Sequence, residues 1–125
     1  MSGSDLLLDT NAFIYFFEGR QSIARLLAQA PLVYYSPISE IELLSASQLS
    51  QAEIRQIKSF LSLCDRIDLS PEVVAQAVHI RRDYKQRIPD AIIAASALVV
   101  GVPLVTADQD FQKIKALSLI TDILT

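Results

Sequence analysis

Short apolar runs alternate with stretches of helical periodicity along the whole chain. The runs that predict buried strands lie at residues 6–8, 32–35, 66–69, 104–106 and 119–120. Helical patterns fill 12–18, 22–30 and 89–100, and further helices are predicted to begin after Ser36, Ser50 and Ser70. Strands that alternate with helices are typical of a parallel sheet covered by helices on both faces. The pattern predicts one α/β domain over residues 1–125.

The composition indicates a domain with a core of its own. The 125 residues are 51% apolar and 20% charged, a balance that argues against disorder. Cys64 is the only cysteine, which excludes an internal disulfide framework and a multi-cysteine zinc site; we expect a core thiol. The longest apolar stretch, 91–105, is interrupted and shorter than the ~20 residues of a membrane span. Since residues 1–8 also lack the basic start of a signal peptide, we expect a cytoplasmic protein.

Four acidic residues lie where the predicted elements meet one edge of the sheet. Asp9 ends the first strand, and Asp108 follows the strand at 104–106. Asp90 begins the helix that leads into that strand, and Glu42 lies in the first turns of the helix after the second strand. Ligands of open α/β sheets bind outside the carboxyl ends of the strands. We therefore expect the four carboxylates to converge there.

Each of these acids also has a local structural explanation. Asp9 is a good N-cap for the helix that follows it, and Ser39 with Glu42 fits a capping box. Asp90 near a helix N-terminus is favoured by the helix dipole, and Asp108 could cap the next turn. These alternatives leave unexplained why four such acids converge on one edge.

Converging carboxylates repel one another unless a cation lies between them. Mg²⁺ prefers oxygen ligands and usually combines one or two carboxylates with water and phosphate oxygens. One or two such ions can activate water for attack on a phosphodiester. The net charge of −3 argues at first against a nucleic-acid partner, but setting the four acids aside leaves +1. The acidic balance therefore does not exclude a nucleic-acid substrate.

A run of basic residues precedes Asp90. Arg81, Arg82, Lys85 and Arg87 could contact an RNA backbone. A solvated helix face is the commoner explanation of such a run, and we favour it. The single histidine, His79, has no ligand partner at a suitable spacing and is predicted to be structural. No Ser–His–Asp triad and no glycine-rich phosphate loop can be assembled from one histidine and three glycines.

Four short motifs follow one another in order. They are Leu-Leu-Asp-Thr-Asn at 7–11, Ser-Pro-Ile-Ser-Glu-Ile-Glu-Leu-Leu at 36–44, Ile-Pro-Asp-Ala-Ile-Ile-Ala-Ala at 88–95 and Thr-Ala-Asp-Gln-Asp-Phe at 106–111. Together they resemble the motifs of the PIN-domain family, and more closely those of the VapC-type toxins of toxin–antitoxin pairs. The second motif, a hydroxyl residue followed three positions later by Glu and then Leu, selects Glu42 rather than Glu40. Each motif alone is weak evidence for the resemblance, because it would often arise by chance, but the four motifs in this order are specific to the family.

The resemblance implies a three-layer α/β/α fold and Mg²⁺- or Mn²⁺-dependent cleavage of RNA. The family's metal-binding acids would correspond to Asp9, Glu42, Asp90 and Asp108. A hydroxyl near the metal would be Thr10, and Ser39 stands where Thr is commoner. Asp110 stays open as a residue that shares or replaces the role of Asp108. The family also implies a homodimer and a small antitoxin that covers the active-site groove, and the apolar helix at 12–18 fits a central position or a subunit interface.

The leading hypothesis is an endoribonuclease that forms the toxin of a toxin–antitoxin pair. Asp9, Asp90 and Asp108 would hold the principal ion. Glu42 would orient a second ion or the attacking water, and Thr10 would steady a ligand or a phosphate oxygen. One alternative is a catalytically silent PIN-like module that binds RNA or protein. Another is a phosphohydrolase with Asp9 as its nucleophile, although no lysine or glycine-rich loop is placed to assist it.

Overall fold

The central sheet of the computed structural model, which describes residues 3–125, has five strands. They are β1 (Leu6–Leu8), β2 (Val33–Tyr35), β3 (Asp65–Arg66), β4 (Leu104–Val105) and β5 (Leu119–Ile120). Their order is β3-β2-β1-β4-β5, and every neighbouring pair is parallel. The all-parallel sheet confirms the prediction, although the strand expected at 66–69 is only two residues long and begins one residue earlier.

Six helices connect these strands. They are α1 (Thr10–Phe17), α2 (Gln21–Gln29), α3 (Pro37–Leu44), α4 (Gln51–Leu61), α5 (Pro71–Tyr84) and α6 (Ile88–Val100), and a short 3₁₀ helix covers Gln109–Lys113. Ser36, Ser50 and Ser70 cap α3, α4 and α5 as their positions predict. No helix among residues 3–125 combines the length and the apolar character that crossing a bilayer requires.

The strand β1 divides the core into two layers. Leu7 packs on one face of the sheet with α5 and α6, whereas Leu6 and Leu8 pack on the other face with side chains of α1, α2 and α4. The alternation follows from the two-residue period of a strand. All three leucines are buried because helices cover both faces. The structure is therefore the expected three-layer α/β/α sandwich.

The helix α1 occupies a central position in its layer. Phe13 is fully buried, and the ring of Phe16 lies 4.7 Å from the ring of Phe60 in α4, measured between centroids. Phe17 also contacts Phe60, at 5.7 Å. Packing within the chain thus explains part of the apolar character of α1, whereas Ile14 stays exposed. A homodimer stays a prediction.

The helices α5 and α6 bring the third acidic segment, that of Asp90, to the site. From β3 at one side of the sheet the chain forms α5 and then α6, which pack against each other before β4 begins. Lys85 ends α5 in the left-handed conformation, at φ 56°. The start of α6, with Asp90 in its first turn, therefore lies near the carboxyl ends of the strands, as the sequence predicts.

Two predictions of local structure need correction. Ser39 and Glu42 do not form a capping box, because α3 begins earlier and its N-cap is Ser36, whose Oγ accepts from the backbone N–H of Ile38. Cys64 is only half-buried rather than a core thiol, and its thiol donates to a backbone carbonyl one helical turn before it. The structural role expected of His79 stays a prediction; its side chain is exposed and lies 3.0 Å from the carboxylate of Asp83.

Candidate active site

Asp9 is both a helix cap and a buried acid. Its Oδ1 accepts a hydrogen bond of 2.8 Å from the backbone N–H of Ala12, which makes it the N-cap of α1. Its Oδ2 accepts from the hydroxyl of Thr106. The side chain is held on both sides, and the residue is only 6% exposed. The capping explanation is therefore correct for the backbone contact and leaves room for a second role.

Thr106 links two of the acids and was not singled out from the sequence. This fully buried residue follows β4; its hydroxyl donates to Asp9 and accepts a 3.0 Å hydrogen bond from the backbone N–H of Asp108. Asp108 in turn caps the 3₁₀ helix, since its Oδ1 accepts from the backbone N–H of Asp110 at 2.9 Å. A hydroxyl at the carboxyl end of a buried strand, two residues before an acid, is the sequence signal that could have identified it.

Glu42 is oriented by a pair of hydroxyl groups. The Oγ1 of Thr10 donates to Glu42 Oε1 at 2.5 Å and lies 2.9 Å from the Oγ of Ser39. Ser39 is fully buried in α3, whereas Glu42 is exposed one turn later. The three side chains connect the start of α1 to α3. Thr10 and Ser39 thus act on the position of the carboxylate.

Asp90 lies in the first turn of α6 beside a basic residue. Its Oδ2 is 3.5 Å from Nη2 of Arg87, three positions earlier. Burial raises the pKa of Asp90, the Arg87 guanidinium opposes that rise, and the charges of Asp108 and Glu42 add to it. The carboxylates of three segments therefore interact through space.

The pKa of the Asp9 carboxyl group is strongly raised. Burial raises its pKa from 3.8 to about 6, and the charges of Asp108 and Asp90 contribute in the same direction. Hydrogen bonds from Thr106 and from the backbone of Ala12 act against the rise but do not cancel it. Several carboxylates thus lie close together around Asp9, which is largely shielded from water. Acids with such perturbed pKa values are frequent at functional sites.

One pocket of about 280 Å³ unites the four predicted acids. It is lined by Asp9, Thr10, Asn11, Ile14, Glu42, Arg87, Asp90, Ile93, Asp108 and Phe111. Asp110 does not line it; the backbone carbonyl of Asp110 accepts instead from the buried side chain of Gln86. Ser39 lies behind Thr10 and also does not line the pocket. The acids come from four separate segments, as the motif order predicts.

The donor set fits a hard divalent cation. Carboxylate and hydroxyl oxygens are the ligands that Mg²⁺ prefers, and one or two carboxylates suffice when water completes the shell. Within residues 3–125, no three His, Cys, Asp or Glu side chains are close enough to hold an ion directly as they stand. The raised pKa of Asp9 nevertheless shows that its charge is not fully compensated by the protein. A hydrated cation between the acids would supply that compensation.

Comparisons with known proteins agree with these observations. The sequence model of the PIN-domain family matches residues 6–117 of this chain. A toxin–antitoxin complex from Klebsiella pneumoniae contains a chain with 30% identity and a TM-score of 0.81, over 93% of this chain and 96% of that one. VapBC-1 from nontypeable Haemophilus influenzae has 25% identity and a TM-score of 0.77, over 93% and 96% of the two chains.

A third structure supports the fold alone. VapBC2 from Rickettsia felis, bound to a DNA fragment from its promoter, shows 23% identity and a TM-score of 0.81, over 93% of this chain and 97% of that one. A comparison with curated proteins gives no match.

The family model covers the motifs at Asp9, Glu42, Asp90 and Asp108. The chain therefore belongs to the PIN-domain family and is similar, within it, to the VapC-type toxins of toxin–antitoxin complexes.

Proposed function

We propose that this protein is a metal-dependent endoribonuclease, and that it is the toxin of a type II toxin–antitoxin pair. The observation that carries the proposal is the single pocket in which Asp9, Glu42, Asp90 and Asp108 meet from four segments of the chain. A purely structural role accounts for each acid separately but gives no reason for their convergence. The membership of the PIN-domain family and the similarity to toxin–antitoxin complexes support the same conclusion.

The residues have distinct roles in this proposal. Asp9, Asp90 and Asp108 would hold Mg²⁺ or Mn²⁺, and Thr106 keeps two of these acids in place through its buried hydroxyl. When bound, the cation supplies activation of water and neutralisation of charge on the phosphodiester. Glu42, held by Thr10, would orient the attacking water or a second ion. Asp108 rather than Asp110 would be the fourth ligand in this proposal, which is supported by the observation that Asp108 alone of the two lines the pocket.

The test is RNA cleavage by variants that remove one charge at a time. Asp9→Asn and Asp90→Asn should each abolish Mg²⁺-dependent cleavage and leave the far-ultraviolet circular dichroism spectrum unchanged. Asp122→Asn is the matched control, because Asp122 is exposed near the carboxyl terminus and does not line the pocket. Asp110→Asn should retain most of the activity. Cleavage that persists in EDTA, or in either pocket variant, contradicts the proposal.

The same experiment separates the alternatives. A silent PIN-like module would bind RNA but would show no cleavage with any divalent cation. A phosphohydrolase with Asp9 as nucleophile would hydrolyse small phosphate esters in preference to RNA and would form a covalent phosphoenzyme. The accumulation of four acids around one pocket favours the nuclease, because mutually repelling carboxylates without a cation would only destabilise a silent module.

A groove beside the pocket supports the proposal of an antitoxin partner. The groove has a volume of about 290 Å³, lies between α1, α3 and α4, and shares Ile14 and Glu42 with the acidic pocket. Its lining is mostly apolar, with Phe17, Leu43 and Ile57 among its side chains. A partner segment seated there would lie directly beside the acids. Inhibition could therefore occur by simple coverage of the site.

The toxin role has a test of its own that does not depend on purified RNA. Expression of the chain should arrest growth, and co-expression of a small protein encoded by an adjacent reading frame should restore it. The Asp90→Asn variant should be harmless under the same conditions. Normal growth during strong expression of the unaltered protein would refute the toxin role and leave the nuclease proposal standing.

A further inference from the structure

One positively charged side chain lies among the acids of the pocket. Arg87 precedes α6 as its N-cap residue, and among the described residues that line the pocket it is the only base. Its side chain is 85% exposed, whereas that of Asp90, its ion-pair partner, is 22% exposed. The guanidinium therefore lies at the mouth of the pocket and is more exposed to solvent than the carboxylate of Asp90.

The Arg87–Asp90 pair holds this guanidinium only loosely. The distance of 3.5 Å between Nη2 and Oδ2 exceeds the ~2.7–2.9 Å of a strong charge-assisted hydrogen bond. Ion pairs with one highly exposed partner contribute little to stability. Asp90 can thus exchange the guanidinium for another cation at small cost. Arg87 would then be free to turn towards solvent.

The charges around the pocket make such an exchange favourable. Four carboxylates and one guanidinium leave a formal charge of −3 when all are ionised. A divalent cation and Arg87 both require Asp90, so binding of one weakens binding of the other. An anionic substrate is repelled by the bare pocket but attracted by a guanidinium released at its mouth. The planar fork of arginine also matches the oxygens of a phosphate.

We propose that Arg87 is a substrate-binding residue that releases Asp90 and then contacts a phosphate of the RNA backbone. The inference rests on the proposed nuclease function and adds one specific contact to it. It concerns Arg87 alone: Arg81 donates instead to the backbone carbonyl of Gln86, and Arg82 does not line the pocket. The remainder of the basic run stays a solvated surface.

The experiment compares Arg87→Gln with Arg82→Gln, which removes the same charge from the neighbouring helix. Mn²⁺ affinity is measured by calorimetry without RNA, and RNA affinity by fluorescence anisotropy with a non-cleavable 2′-O-methyl oligonucleotide over a series of salt concentrations. Arg87→Gln should bind Mn²⁺ several-fold more tightly, because a competing cation has been removed. It should bind RNA about tenfold less tightly, with the salt slope reduced by about 1.

Further outcomes decide the proposal. Arg87→Lys should restore the competition with Mn²⁺ but only part of the RNA affinity, because lysine keeps the charge and lacks the fork. Equal changes in Arg87→Gln and Arg82→Gln would indicate a general effect of charge and would overturn the inference. Unchanged Mn²⁺ affinity in Arg87→Gln would also overturn it. If the unaltered protein neither binds nor cleaves RNA, the proposed function itself fails; if it cleaves and Arg87→Gln cleaves equally well, only the role of Arg87 fails.

Discussion

Replacement of Asp9 by asparagine should stabilise the folded protein while abolishing its proposed activity. Asp9 is buried, and its pKa is raised from 3.8 to about 6 in the folded state. The ionised carboxylate is therefore disfavoured on folding. The rise corresponds to roughly 3 kcal/mol of lost folding free energy once both states are fully ionised. The Asp9→Asn variant carries no charge, so it avoids this loss.

Asparagine can keep only part of the contacts that Asp9 makes. Its side-chain oxygen can still accept from the backbone N–H of Ala12, and its amide group can donate to the hydroxyl oxygen of Thr106, but the buried Thr106 hydroxyl then loses Asp9 as its acceptor. This loss offsets part of the gain, so we expect the free energy of unfolding at pH 7.5 in EDTA to rise by about 1–2 kcal/mol. For a chain of this length each kcal/mol raises Tm by about 3–5 °C.

The pH dependence gives the prediction its sign. The pKa of Asp9 is higher in the folded state than in the unfolded state, so the folded state binds the proton more tightly. The loss of folding free energy caused by ionisation of Asp9 is therefore complete only above pH 6. This loss of folding free energy becomes smaller as the pH falls from 6 to 3.8, and it is below about 1 kcal/mol at pH 4. The advantage of the variant should therefore nearly vanish at pH 4. Urea unfolding at both pH values, with Asp122→Asn as control, measures it.

Two results would refute this reasoning. A stability difference of the same size at pH 7.5 and pH 4 would show that ionisation of Asp9 is not its cause. A destabilised Asp9→Asn variant at pH 7.5 would show that the charged form is favoured in the fold. Either result would mean that the carboxylate is not an uncompensated buried charge.

Further substitutions and ligands test other parts of the structure. Mn²⁺ should raise the Tm of the unaltered protein and leave that of Asp9→Asn unchanged, as differential scanning fluorimetry would record. Thr106→Val should lower the free energy of unfolding by about 1–3 kcal/mol and reduce cleavage, because Asp9 and the Asp108 N–H both lose a partner. Gly101→Ala should lower the free energy of unfolding by about 1–2 kcal/mol in chemical denaturation, since Gly101 ends α6 at φ 80°. Cys64, with its pKa raised by burial to about 11, should react slowly with iodoacetamide at pH 8.

Local signals account for the elements that the sequence predicted correctly. A Ser before α3, α4 and α5 supplies an oxygen to N–H groups only two or three residues away, so its effect can be recognised in a short window. The strand β3 was placed less well. Its two residues, Asp65 and Arg66, are exposed, and only their pairing with β2 makes them a strand.

The residues of the site were also predicted correctly where the signal is local or follows from the order of the elements. The order of the motifs selected Asp9, Glu42, Asp90 and Asp108, because the alternation of strands and helices places their backbones at one edge of the sheet. The capping box at Ser39 was wrong, because the Ser36 cap with Pro37 at the first helical position starts α3 three residues earlier and leaves Ser39 inside the helix.

The sequence by itself determined a parallel α/β fold and which acids lie near its carboxyl edge, because both depend on periodicity and on caps within a few residues. Only the tertiary structure decided the partners of those acids. Thr106 reaches Asp9 across 97 positions, and Asp108, the N-cap of the 3₁₀ helix, lines the pocket whereas Asp110 in its first turn does not. Such contacts depend on the packing of segments distant in the chain, and so do the burial and the raised pKa of Asp9 that result from it.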